Sequence, residues 1–179
     1  NSGAGAVTVK SNNSAISQVA DITTAGGLIT YTAGTSITMT SGTKATAGAS
    51  GAIEFTAGTN IALSILDAGS TVSLTATAGA ISDNLTGEGA TDFNIKGTTT
   101  TVYLKAKNGI GTSGAGDIDT QIASLSHVEN STAGDIFIQE ADGLSVGTDG
   151  LISSGSSGSV VIDVTTGALV IDKTINVSG

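Results

Sequence analysis

The chain repeats a two-strand phrase in one orientation. Residues 27–40 read GLITYTAGTSITMT and residues 51–64 read GAIEFTAGTNIALS, aligning without a gap, with Ile29 and Ile53 24 positions apart. Each copy is a short run of β-forming residues, a Thr-Ala-Gly turn, and a second short run. Antiparallel sandwiches also carry turn signals every ~8–12 residues, but they do not repeat a phrase in the same direction. Direct repetition places equivalent strands above one another in parallel. Each repeat then buries its apolar face only against the next, which makes the chain a solenoid.

Lead strands centred on Val7, Ile29, Ile53, Val72, Val102, Ile136 and Val161 are separated by 22, 24, 19, 30, 34 and 25 residues. This spacing sets the expectation of about seven irregular coils. The two longest intervals hold extra residues, SDNLTGEGATD (82–92) and GTSGAGDID (111–119), which are expected to bulge from one face of the coil. Further strands are expected at Ser36–Met39, Asn60–Leu63, Ala168–Ile171 and, more weakly patterned, at Ile16, Asp21–Thr23, Ala80–Ser82, Phe93–Ile95, Leu144–Val146 and Thr174–Val177. The segment QIASLSHV (121–128) scans as a helix, but its neighbours favour a strand.

Composition agrees with this architecture. There is no Pro, which would remove a donor from a ladder bonded on both edges. The 26 Gly suit sharp corners, and the 28 Thr suit a pleated outer surface. Charged residues make up 12% of the chain, against about 25% in an ordinary domain. With a mean hydropathy of +0.28, generic disorder is not expected. A net charge of −9, with no Arg, argues against a nucleic-acid partner. No Cys is present, so neither a disulfide nor a thiolate metal site can form. No run of 18 apolar residues occurs, so membrane insertion is not expected. Asn1-Ser2-Gly3 does not read as a signal peptide, and neither end reads as a capping segment. Residues 1–179 are accordingly expected to be one β-helix segment of a longer repetitive protein.

Three phrases carry a family resemblance: GAISDNLTGEG (79–89), LKAKNGIGTSGAGDIDTQIASL (104–125) and AGDIFIQEADGLSVG (133–147). They resemble repeats of very large secreted bacterial adhesins of the filamentous-haemagglutinin type. In that family a GIGT…NTQ phrase is followed by a GDIYI-E-ADGL-IG phrase. Gly109-Ile110-Gly111-Thr112, Asp119-Thr120-Gln121, Gly134-Asp135-Ile136-Phe137-Ile138 and Glu140-Ala141-Asp142-Gly143-Leu144 hold the corresponding places. Where the family often has Asn-Pro-Leu before the Thr-Gln, this chain has Gly116-Asp117-Ile118-Asp119. The resemblance implies a right-handed parallel β-helix at a bacterial cell surface, forming part of a shaft.

Several residue groups are candidates for chemistry. Asp117, Asp119, Asp163 and Asp172 could supply the paired carboxylates of a polysaccharide-processing β-helix. Chemistry on acidic sugars also calls for Arg or Lys, and Arg is absent. Asp117/Asp119 and Glu140/Asp142 each put two carboxylates on one side of an extended segment, a weak pattern for Ca2+ without the tandem calcium-repeat motif. His127 is the only histidine, and neither Ser124 nor Ser126 beside it lies in a nucleophile-elbow motif. Thr98–Thr101 and the pairs Thr30/Thr32 and Thr38/Thr40 resemble flat threonine arrays, though uneven intervals spoil a lattice. Tyr31, Phe55, Tyr103 and Phe137 fall near equivalent positions and are read as an aromatic core stack, with a sugar-binding stripe as the sharper alternative. The segment GTSGAG (111–116) lacks the lysine and following helix of a phosphate loop. Asn84-Leu85-Thr86, Asn130-Ser131-Thr132 and Asn176-Val177-Ser178 match the glycosylation pattern by chance.

The sequence reading is thus an all-β, right-handed parallel β-helix with no catalytic, cofactor-binding or metal-ligating residues assigned, not an enzyme. Its expected work is a structural or adhesive shaft outside a bacterial cell, touching surface or matrix polysaccharide or protein. The alternative is a subunit of a self-assembling fibre or sheath that contacts its own copies end to end. A polysaccharide-binding or polysaccharide-processing β-helix ranks third.

Overall fold

The computed structural model describes residues 5–87, 89, 91–147, 150, 152–156 and 158–177. The Asn1-Ser2-Gly3 start and Ser178 of the third sequon lie outside these residues. The chain is an all-β parallel solenoid of about six turns, with no helix among the described residues. The strand pairings that join successive turns are parallel throughout.

Three faces run along the stack. The first begins with Val7–Ser11, Ile29–Ala33, Ile53–Ala57 and Thr71–Ala76, then continues through the later halves of Ile95–Ala106 and Ile118–Asn130. The second stacks Ile16–Gln18, Ile37–Met39, Ile61–Leu63 and Ile81–Asp83. The third stacks Ile22–Thr23, Lys44–Gly48 and Ile65–Ala68, then the opening residues of Ile95–Ala106.

Strand alternation sends every second side chain inward, and the register aligns these into rows. On the first face one row runs Val7, Ile29, Ile53, Val72, Val102, Leu125. A second runs Ser11, Ala33, Ala57, Ala76, Ala106, Asn130. The second face carries Ile16, Ile37, Ile61, Ile81, Ile110 and Ile136 in one line. From Ile29 to Leu125 the large members of these rows are buried, and they form one continuous aliphatic core.

The Thr-Ala-Gly phrase now has a physical cause. Ala33 and Ala57 point inward, and Gly34 and Gly58 follow at the corner. A Cβ on Gly58 would collide with the carbonyl oxygen of Gly34 one turn below, and one on Gly34 with that of Asn12. The small residue is needed because rungs approach closely there.

Two expectations are corrected by the register. Ile136 does not continue the lead row; it pairs with Ile110 on the second face, and Val161 pairs with Phe137 at an outward position. The true successor of Val102 is Leu125, 23 residues on, so the apparent interval of 34 disappears. Ile118–Asn130 is a single strand that passes from the third face to the first without a glycine to mark the corner. The aromatic row is also shorter than read. Tyr31 and Phe55 stack, with ring centroids 4.4 Å apart and planes 1° from parallel. The same inward row continues as Leu74 and Leu104. Tyr103 pairs with Ser73 and His127, and Phe137 with Val161, which places both on the outer side.

Candidate functional site

The two insertions emerge at the same corner, between the second and third faces, on consecutive turns. The first leaves after Ile81–Asp83 and rejoins the stack at Ile95; the second leaves after Ile110 and rejoins at Ile118. Gly111 opens the second insertion with φ 67°, and a Cβ there would press on the Phe137 carbonyl oxygen. Between the insertions lies an open groove of about 560 Å³. Asp92 and Phe93 of the first insertion and Gly114 and Ala115 of the second line it, together with Asp117, Asp119 and Gln139.

Asn94 fixes this corner from inside. It is fully buried and spans three turns. Its Nδ2 donates to the Ser64 carbonyl at 3.2 Å and to Asp83 Oδ1 at 2.6 Å, while its Oδ1 accepts from the Asp119 N–H at 2.9 Å. Asp83 Oδ1 also accepts from the Leu85 N–H at 2.7 Å, which starts the first insertion. Asp92 accepts from the Gly89 N–H at 2.9 Å and curls that loop's tip.

The groove gathers negative charge. Burial pushes the Asp119 carboxyl up to about 6, and the neighbouring Asp117 and Asp83 add to the rise. Asp117 is also raised, first by burial, with Asp83 and Asp163 adding to it and a backbone hydrogen bond opposing. Asp119, Gln139 and Asp163 stand in register on three successive strands.

The structure therefore brings Asp117 and Asp119 together and sets Asp163 in line with them. It separates Glu140 from Asp142. Glu140 turns inward and is wholly buried, whereas Asp142 is exposed, because the strand ends at Glu140. Asp172 lies on a later turn and accepts from the Ser145 hydroxyl at 2.8 Å. Among the described residues no group of three or more His, Asp or Glu side chains is placed to hold a metal ion.

The other candidates lie elsewhere. His127 is on the outer first face, its Nε2 3.3 Å from Glu129 Oε2, an oxygen that also meets Lys105 Nζ at 2.9 Å. Hydrogen bonding from Lys105, helped by His127, holds Glu129 below the usual carboxylate range. Ser126 is buried, and the Ser124 hydroxyl donates to Thr101 Oγ1 at 3.2 Å. Thr100 is buried and donates to the Ala68 carbonyl; Thr99 donates to the Gly69 carbonyl at 2.7 Å. The outward rows read Thr8, Thr30, Glu54, Ser73, Tyr103, His127 and Lys10, Thr32, Thr56, Thr75, Lys105, Glu129, so other side chains interrupt the threonines.

Sequence reasoning missed Asn94, Phe93 and the burial of Glu140. Both insertions fall in the expected segments, 82–92 and 111–119, but only the first lies in a long step, since Val72 to Val102 spans 30 residues and Val102 to Leu125 only 23. Their convergence on one corner needed only that the strands flanking each insertion be assigned to faces. Searches against protein-family models, curated proteins and solved structures find no match to this chain.

Proposed function

We propose that this chain is a segment of a stiff extracellular shaft of a bacterial filament or adhesin of the filamentous-haemagglutinin type. One observation carries the reading: the insertions of two consecutive turns project at one corner of an otherwise continuous ladder. A stack bonded along every face sets distance and resists opening, and the loops offer a place of contact without interrupting it. The groove between them presents carboxylate, amide and hydroxyl oxygens beside the Phe93 ring. That chemistry suits weak contact with hydroxyl-rich polymers, repeated along a long rod to gain avidity.

The test is the size and place of the native gene product. An antibody to this segment should label intact cells and detect, in denaturing electrophoresis, a polypeptide far larger than 17.2 kDa. A band near that mass, or label confined to the cell interior, overturns the reading.

A second reading, a self-assembling fibre subunit, is favoured by one observation. Near the last described turn Val161, Leu169, Val170, Ile171 and Val177 are exposed by 40–56%. Parallel strand edges with apolar side chains beside them are templates for further stacking. The same blot separates the two, since a fibre subunit gives a small band and sediments as polymer before denaturation.

A further inference from the structure

Glu140 is the only carboxylate among the described residues that is completely removed from solvent. It stands on the inner side of the third face, paired with Thr120 on one side and Val164 on the other. Its Oε1 accepts from the N–H groups of Ala141 at 3.1 Å, Asp142 at 3.3 Å and Ile122 at 3.3 Å. Its Oε2 meets the Ile122 N–H at 3.2 Å and the Thr120 hydroxyl at 2.7 Å. No cation belongs to this set. On its own segment the charge that acts on it is Asp142, of the same sign. The titratable groups on the flanking strands, Asp119, His127 and Glu129 on one side and Asp163 on the other, occupy outward positions.

Thr120 has one hydroxyl proton and two acceptors in reach. Glu140 Oε2 is at 2.7 Å and the Gln139 carbonyl oxygen at 3.0 Å. With Glu140 ionised, the hydroxyl proton goes to the carboxylate, and the Gln139 carbonyl loses that bond. With Glu140 protonated, its O–H donates to Thr120 Oγ1, and the Thr120 hydroxyl rotates to donate to Gln139. A single proton taken from solvent onto Oε2 converts one state to the other, and no other bond to hydrogen is broken. The neutral state closes a two-bond chain between consecutive turns and removes a buried charge.

We propose that Glu140, Thr120 and the Gln139 carbonyl form a proton-operated latch, which clamps two consecutive turns in mild acid and slackens them as the solution becomes alkaline. Burial pushes the Glu140 carboxyl up to about 7, against the opposing hydrogen bonds from Thr120, Asp142 and Ile122, so the change falls near neutrality. The sign follows from a folded value raised above the ordinary one. The latch closes with a midpoint near 7; the stability it adds is fully present below the ordinary carboxylate range and is lost as pH rises through about 7.

The experiment follows the Glu140 side-chain carboxyl of the whole chain by 13C NMR from about pH 4 to about pH 9. In parallel, amide exchange is measured at Ile122, Ala141 and Asp142, corrected for intrinsic rates. The midpoint is expected near 7, with corner protection falling roughly tenfold or more across it. Thr120→Val should move the midpoint, and Thr120→Ser should restore it. A wild-type midpoint in the ordinary carboxylate range, or protection that does not change across it, overturns the proposal. So does a folded Thr120→Val protein with an unmoved midpoint. If that variant does not fold, the wild-type titration and exchange profile decide alone.

Discussion

Replacing Tyr31 by Phe isolates one hydrogen bond inside the stack. The Tyr31 ring is 1% exposed and keeps its face-to-face contact with Phe55 in either form. The phenol, whose ionisation burial pushes up to about 12, donates to Gln18 Oε1 at 3.0 Å. Gln18 is 4% exposed and uses its Nε2 on the Lys44 carbonyl at 2.9 Å. Removing the hydroxyl deletes a net contribution of about 1 kcal/mol and strands the Gln18 oxygen, at a further cost of about 1–3 kcal/mol. The expected loss is therefore about 2–4 kcal/mol in urea or guanidinium unfolding. The partner change is Gln18→Met, chosen because Met39 occupies the same inward position one turn later. In the double variant neither polar group remains at this site, and the freed Lys44 carbonyl belongs to an exposed residue. The double variant should recover at least about half of the single-variant loss. A Tyr31→Phe loss below about 0.5 kcal/mol, or a double variant as unstable as the sum of the singles, would show that the Tyr31–Gln18 bond does not matter as argued.

Other outcomes follow from the same geometry. Ile61→Ala opens a void between Ile37 and Ile81 in the isoleucine row and should cost about 2–5 kcal/mol in denaturant unfolding. Gly58→Ala forces a methyl group against the Gly34 carbonyl; it should lower the thermal midpoint, whereas Gly42→Ala, where a Cβ meets no atom within 4 Å, should be limited to the strain of its φ of 83°. Asp119 and Glu140 are raised to about 6 and about 7, and Asp117 is raised as well, so stability should be highest in mild acid and fall as pH climbs through that window. Glu129, held low by Lys105 and His127, acts in the opposite sense, and its contribution is lost only in stronger acid. Chevron midpoints measured across pH check both signs.

The first and second faces were legible because β-branched residues alternate with small polar ones along them. Of the third face only Ile22–Thr23 was legible, within the expected strand Asp21–Thr23. In Lys44–Gly48 the inward residues are Ala45 and Ala47, which give no hydropathic contrast with Thr46. Ile65–Ala68 follows Leu63 after a single Ser, without a turn residue to announce it. The lead row was lost after Val102 because GDIFI resembles IEFTA, while the real successor lay inside the unpunctuated strand Ile118–Asn130. The aromatic reading failed by one position at Tyr103, and one position in a strand exchanges inside for outside. At the groove, the first insertion was visible as a long interval and the second as the glycine-rich run GTSGAG. Glu140 was not, because its polar letter conceals an inward register set by Thr120 and Val164.

The corner insertions have a mechanical consequence. Each loop is tethered at both ends to rungs that are hydrogen-bonded on either side. A pull outward on a loop draws along the chain on either side of it, Ile81–Asp83 and Ile95–Ala106 for the first loop, the Ile110 bridges and Ile118–Asn130 for the second. The load is then taken as shear by the bonds of those segments together, instead of unzipping them in succession. A tether fastened at this corner thus loads the ladder in shear rather than peeling it apart.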